Sequence, residues 1–435
     1  MAVEARERMN LRHVPLWVVR EMARTESHKP WVADTLAQVI QRPDELGEFL
    51  KLYWLADEGK ADKQPLSAQV KKGLARAYTK FGAYGLAKYN QDNAIKLRDV
   101  MFLVHPTPKD ADTVQDLQIA NAVNKGKYKR GAVLRHNAGQ GKLWQQLVTN
   151  SLPTPDTWEV ALSAGGNRPE VWTRLINEDK LGALAYIRNL RNMANAHVDP
   201  AVVKAGLLKL NTRRVLPFRF VAAAKAAPAY ETELDQLLVR SAIENGQITG
   251  RTVVVIDVSG SMYNKPVSSK SDMDRALAAC AMGAIAREMF PDSGIYATAG
   301  SDAKHIHATV EVPGRHGMAL VDAIFAQCHP LGGGGIFLTQ VCNWLREREK
   351  NVARMIVITD EQDCSDPRVR SDAPTNATPL GKNNYMINVN TYEHGIGYDP
   401  KWTHIDGWSE AVLNYIAACE DPSALNGEPN DPDEE

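Results

Sequence analysis

Asp257, Ser259 and Ser261 stand at alternate positions of RTVVVIDVSGSM, residues 251–262. One carboxylate and two hydroxyls on a Gly-containing turn are hard oxygen donors, a set suited to Mg²⁺ or a similar divalent cation. A second carboxylate, Asp360, closes the run in RMIVITDEQD, residues 354–363. The chemistry on offer is cation coordination, with the sphere completed by a carboxylate or phosphate of a partner. Each acid follows an apolar run, 252–256 and 354–359. Such runs read as buried strands of a parallel sheet. Open α/β sheets bind ligands beyond the carboxyl ends of their strands, so one sheet edge must bring both acids together.

The elements around these runs alternate. From Gly246 on, the pattern predicts helices over 272–290, 316–328, 336–350 and 407–419. Strands are predicted over 294–298, 305–312 and 385–389, with a glycine loop at 332–335. Alternating β and α predicts a doubly wound, mostly parallel sheet. Residues 1–245 read as helical almost throughout. In the stretch 70–89, Val70, Leu74, Ala77, Phe81 and Tyr84 mark one apolar face. Pro and Gly breaks separate this pattern from similar ones, which predicts a stacked helical array. The expected division is therefore 1–245 helical, 250–420 α/β, and an acidic, Pro-rich tail at 421–435 that is expected to be disordered.

Residues 1–250 hold 36 Lys and Arg against 26 Asp and Glu, and the remainder holds 15 against 26. A basic half joined to an acidic half fits an anionic partner such as nucleic acid, or two solvated surfaces of opposite sign. Mean hydropathy is −0.34, and no apolar run reaches the length of a membrane span. The first residues carry acids and no apolar core of a secretory signal. Cys280, Cys328, Cys342, Cys364 and Cys419 are odd in number and form no C-x-x-C, which fits reduced thiols in the cytoplasm.

The D-x-S-x-S turn at one strand end, with Thr-Asp at a later one, resembles the metal-ion-dependent adhesion site of von Willebrand factor A domains. The resemblance implies that Asp257, Ser259 and Ser261 ligate a divalent cation, Mg²⁺, which Asp360 holds directly or through water. Where that family usually has a Thr after two glycines, this chain has Ile336 after Gly334 and Gly335. Thr339 lies one helical turn further on.

Four further segments, 87–108, 171–193, 216–231 and the approach to DVSGSM, together resemble the TROVE module of Ro ribonucleoproteins. With the A domain the resemblance spans nearly the whole chain, although 109–170 matches weakly. It implies a closed ring of HEAT-like helical repeats followed by a von Willebrand A domain. It implies a monomeric, non-enzymatic, cytoplasmic RNA-binding protein. Such proteins bind Y-type small noncoding RNA outside the ring and single-stranded 3′ ends of misfolded RNA through its hole. They act in RNA quality control or decay, in some cases beside the exoribonuclease polynucleotide phosphorylase.

The resemblance places RNA contacts at Lys88 and His105, and a third family-basic position is Asp92 here. Read alone, Lys88 is a phosphate contact or a solvated helix charge. His105, before Pro106, is a ligand, a helix cap or a core histidine. Helical spacing puts Arg188, Arg191 and Asn195 on a stripe beside a buried face of Leu184, Ile187, Leu190 and Ala194. That stripe forks onto phosphates or pairs with acids of the next helix. Residues 125–142 carry Lys125, Lys127, Lys129, Arg130, Arg135 and Lys142 without an acid, and Tyr128 and His136 suit base stacking. Arg213, Arg214 and Arg219 form a smaller cluster, for phosphate or for structure.

Other chemistry is thinner. The glycines at 332–335 lack the Lys-Ser/Thr of a P-loop. His305 and His307 are two metal ligands without a third. Asp360, Glu361 and Asp363 resemble a two-metal nuclease cluster, a reading that competes with the D-x-S-x-S context. Two alternatives to RNA binding therefore stand: a metal-dependent protein-interaction scaffold and a metal-dependent nuclease.

Overall fold

The computed structural model describes residues 1–7, 11–55, 65–90, 94–108, 139–213, 215–244, 246–263, 265–267, 273–361, 377–389, 399–407, 409 and 411–420. The chain divides into two compact units after Gly166. The described residues of the first form α1 (Ala2–Glu7), α2 (His13–Arg24), α3 (Val32–Val39), α4 (Pro43–Tyr53), α5 (Ala68–Tyr78), α6 (Ala83–Tyr89), α7 (Leu97–Val104), α8 (Gly139–Val148) and α9 (Trp158–Gly165). One apolar cluster joins α1 to α8, with Leu16, Leu36, Phe49, Leu74, Tyr78 and Val100 fully or almost fully buried. Gly73 lets α5 seat against α3, because a Cβ there would stand 2.9 Å from the Leu36 Cβ. Helix α4 starts with Pro43 at its first turn, and Glu45 folds back to accept the backbone N–H of Gln41 and Arg42.

The stretch 70–89 is two helices rather than one. Helix α5 ends at Tyr78, Gly82 is extended, and α6 begins at Ala83. The 3.6-residue register is lost across that break. Tyr84, expected on the apolar face, is therefore 46% exposed.

The second unit opens with α10 (Pro169–Asn177), α11 (Ala183–Arg188), α12 (Leu190–Asn195), α13 (Pro200–Lys209), α14 (Phe218–Ala226) and α15 (Glu231–Glu244). The expected helix through 184–195 breaks at Asn189, whose side-chain amide donates to the Ala185 carbonyl and whose Oδ1 accepts from Asn192. The break turns the apolar face. Tyr186, Ile187, Leu190 and Met193 are buried, while Leu184 and Ala194, expected among them, are exposed.

There follow β1 (Thr252–Asp257), α16 (Arg275–Met289), β2 (Ser293–Ser301), β3 (Ile306–Glu311), α17 (Gly317–Phe325), α18 (Leu338–Arg348), β4 (Arg354–Thr359), β5 (Asn383–Asn388), β6 (Thr403–Asp406) and α19 (Val412–Glu420). The sheet runs β3-β2-β1-β4-β5-β6, parallel except for β3. This is the α-helical region plus doubly wound α/β domain that the sequence predicts. Strand β6 has no signal in the sequence because it is a short, polar edge strand. Val253 and Val255 point to one face, into an apolar cluster with Leu338, Val341 and Leu345 of α18. Ile256 points to the other, where Gly283 brings α16 so close that a Cβ would fall 2.2 Å from Ile256 Cδ1. Helices α15 and α17 join through Asp235, whose Oδ1 accepts the Met318 N–H at 2.6 Å. Helices α10 to α15 thus share a unit with the sheet. Among the described residues no helix is long and apolar enough to cross a membrane.

Candidate cation site and RNA interface

Strands β1 and β4 run parallel with Ile256 beside Ile358, so Asp257 lies next to Thr359 and Asp360 follows directly. The Thr359 hydroxyl donates to Asp257 Oδ2 at 2.6 Å, and the Ser259 N–H donates to Oδ1 at 2.8 Å. A short 3₁₀ turn, Gly260–Met262, brings Ser261 back over the strand end. Its hydroxyl lies 3.2 Å from that of Ser259 and donates to Asp360 Oδ1 at 3.1 Å. The four residues that the sequence singled out therefore form one hydrogen-bonded cluster. Asp257, Ser259 and Asp360 are buried, and Ser261 is half-buried. Burial, and then the neighbouring charge of Asp360, push the Asp257 carboxyl well above the usual carboxylate range. A cation would oppose both effects.

The glycine loop forms one wall. The Gly260 N–H donates to the Gly333 carbonyl at 3.1 Å, and Gly334 N–H to the Gly300 carbonyl at 3.1 Å. Gly335 N–H donates to Asp302 Oδ1 at 2.7 Å, so Asp302 braces the loop. Gly332 and Gly333 have φ of 95° and 66°, a conformation natural to glycine. Ile336 is buried in the apolar cluster with Val253 and Val255 and supplies no oxygen. Thr339 is half-buried at the start of α18. Two carboxylates and two hydroxyls held within hydrogen-bond reach fit a hard divalent cation, one protein oxygen short of the set that the A-domain pattern implies.

Sequence reasoning missed Arg275. Its Nη1 lies 3.7 Å from Asp360 Oδ2. Nothing in the motif points to it, because Arg275 opens a separate helix, α16, and meets Asp360 only through the tertiary fold. Among the described residues no three His, Cys, Asp or Glu side chains form a metal-binding group. His307 Nδ1 is taken up by the Thr309 hydroxyl at 2.9 Å, and Asp363 lies outside the described residues.

The residues read as RNA contacts fall in three places. Lys88 lies in the last turn of α6 with its ammonium 5.4 Å from the Tyr89 ring centre and 5.9 Å from that of Tyr84, and Arg42 lies over Tyr89 at 4.8 Å. His105 takes the left-handed conformation, φ 51°, and caps α7 by donating its N–H to the Met101 carbonyl. Burial, and then the charge of Lys71, hold its imidazole below the usual histidine range. Arg188 and Arg191 are exposed, and among the described residues no carboxylate forms an ion pair with either. Lys127, Lys129, Arg130 and Arg135 lie outside the described residues, as do Lys125, Tyr128, His136, Asp92 and Arg214. Lys142 is exposed on α8, Arg213 is exposed before α14, and Arg219 is exposed in its first turn.

The TROVE domain family matches residues 149–305, a span that holds Arg188, Arg191, Asp257, Ser259, Ser261 and Arg275. The chain is 24% identical over 288 residues to telomerase protein component 1 of Rattus norvegicus, covering 53% of this chain and 11% of that protein. Its counterpart in Mus musculus is 34% identical over 89 residues, 19% of this chain and 3% of that one. The chain thus spans about a tenth or less of the length of these relatives. The crystal structure of the Deinococcus radiodurans RO (RSR) protein shares the fold with a TM-score of 0.61 at 15% identity, over 96% of this chain and 92% of that one. Residues 149–305 thus match the TROVE domain family, in a chain that shares its fold with a Ro protein.

Proposed function

We propose that the protein binds RNA, largely through phosphates. The observation that carries this is the exposure of Arg188 and Arg191, without ion-pair partners among the described residues, inside the span that matches an RNA-binding family. Guanidinium groups fork onto phosphate oxygens and read charge and shape rather than sequence. The RNA is a small noncoding one of the Y type, or the single-stranded 3′ end of a misfolded one. The setting is cytoplasmic quality control or decay beside an exoribonuclease such as polynucleotide phosphorylase, without catalysis by this chain.

The test is binding of the purified protein to a structured RNA with a single-stranded 3′ tail, and to the same RNA blunt-ended. With about six phosphate contacts, affinity should fall roughly 10³-fold between about 50 and 200 mM salt. Tail-dependent binding, weakened by Arg188→Ala with Arg191→Ala, supports the reading. Equal or absent binding to both RNAs overturns the part that rests on free 3′ ends.

The buried oxygen cluster favours a second reading, in which the α/β domain captures a protein. Asp257, Ser259, Ser261 and Asp360 would hold Mg²⁺, and the bound ion would supply a Lewis-acidic position for a partner's carboxylate or phosphate. Mg²⁺-dependent capture of a protein without RNA binding would support it. RNA cleavage in Mg²⁺ that Asp257→Ala abolishes would replace both readings with a nuclease.

A further inference from the structure

We propose that the Arg275 guanidinium is a built-in counter-ion of the oxygen cluster, competing with a divalent cation for Asp360, so that the site takes up Mg²⁺ weakly and reversibly. The inference rests on reading the four oxygen donors as a cation site, and is independent of RNA binding. Asp360 is fully buried and the Arg275 side chain is only 12% exposed, so their 3.7 Å pair is poorly screened by solvent. A cation in the first turn of a helix meets the positive end of the helix dipole, which disfavours it. Arg275 nevertheless begins α16. Two acids offset the cost: Asp274, which caps the helix by accepting the Leu277 N–H at 2.7 Å, and Asp360.

The arginine is also held from behind. Its N–H donates to the Lys265 carbonyl at 2.9 Å, and Val267 N–H donates to the Met273 carbonyl at 3.0 Å. Pro266 and Asp274 pair antiparallel between them. The backbone that carries Arg275 is thus tied to the strand-like segment just after the Ser259–Ser261 turn.

The charges then decide the outcome. Asp257 and Asp360 carry the acidity of the cluster, and the guanidinium already balances part of it. An arriving divalent cation must displace the guanidinium or share the cluster with a like charge. Ile336 works in the same direction by withholding an oxygen.

The test is calorimetric titration of the full chain with Mg²⁺ alone and with Mn²⁺ alone. The wild type is compared with Arg275→Gln, Arg275→Met and the charge-preserving Arg275→Lys, with folding checked by circular dichroism and melting. The expected wild-type Kd is weaker than about 0.1 mM. Both neutral variants should bind at least about tenfold tighter, and the lysine variant should stay near wild type. Folded neutral variants that bind no tighter than wild type overturn the proposal. A wild-type Kd in the low micromolar range overturns it whether or not any variant folds. No binding by the wild type or by any folded variant sinks the cation reading itself, an outcome distinct from equal binding by all.

Discussion

The Ser261 hydroxyl donates to Asp360 Oδ1 at 3.1 Å across 99 positions of sequence. That bond joins the two strand-end motifs into one site. It makes the cluster's response to pH and to metal the first thing to measure.

Without metal, stability should fall as pH rises from the ordinary carboxylate range toward neutrality. The folded protein holds a proton on Asp257 that the unfolded chain releases at lower pH, because burial and Asp360 raise the folded-state pKa. The stabilisation from that proton is complete below the unfolded pKa and is lost as pH passes the folded one. Melting temperature against pH in a chelator should show the decline, and Asp257→Asn should flatten it. Saturating Mg²⁺ should flatten it too, by stabilising the ionised form. A wild-type curve that is flat, or that rises over this range, would refute the account.

Replacing Arg188 and Arg191 with Ala should lower RNA affinity and reduce the slope of log K against log salt by about 2, one phosphate contact for each arginine. Stability should move by less than about 0.5 kcal/mol, because both side chains are exposed and neither is paired among the described residues. Unchanged salt dependence would remove these two residues from the interface.

Gly300→Ala should cost about 1–3 kcal/mol in urea unfolding. Its Cβ would stand 2.5 Å from two ring carbons of Phe337 and 2.6 Å from the Ile306 carbonyl oxygen. The Gly300 carbonyl also accepts the Gly334 N–H, so the same change should disturb the loop against the oxygen cluster. A variant as stable as wild type would show that this packing is looser than described.

In the first unit, Glu45→Ala should cost about 3–5 kcal/mol by chemical denaturation. Glu45 is fully buried, pairs with Arg6 at 2.7 Å and accepts the N–H groups of Gln41 and Arg42. The change removes the carboxylate and leaves a buried guanidinium and the start of α4 without it. A loss below about 1 kcal/mol would mean that this pair is of the weak surface kind.

Much of this protein was legible in one dimension because its signals are local. Two apolar runs ending in Asp257 and Asp360 announced parallel strands. Alternation of strand and helix then announced the doubly wound sheet, since parallel strands need long crossover connections, most often helices. The oxygen donors could be named because the turn that carries three of them is contiguous. Periodicity misled where the chain breaks, at Gly82 and Asn189, because a register reads on through a break that only backbone geometry reveals. The sequence by itself determined which oxygen donors stand at the two strand ends and which elements present them. Only the tertiary structure decided that Arg275 stands against Asp360, that Ile336 belongs to the core, and that α14 and α15 pack against helices of the α/β domain. Those facts depend on contacts between residues far apart in sequence, and the energy of such contacts is set by burial and distance in three dimensions.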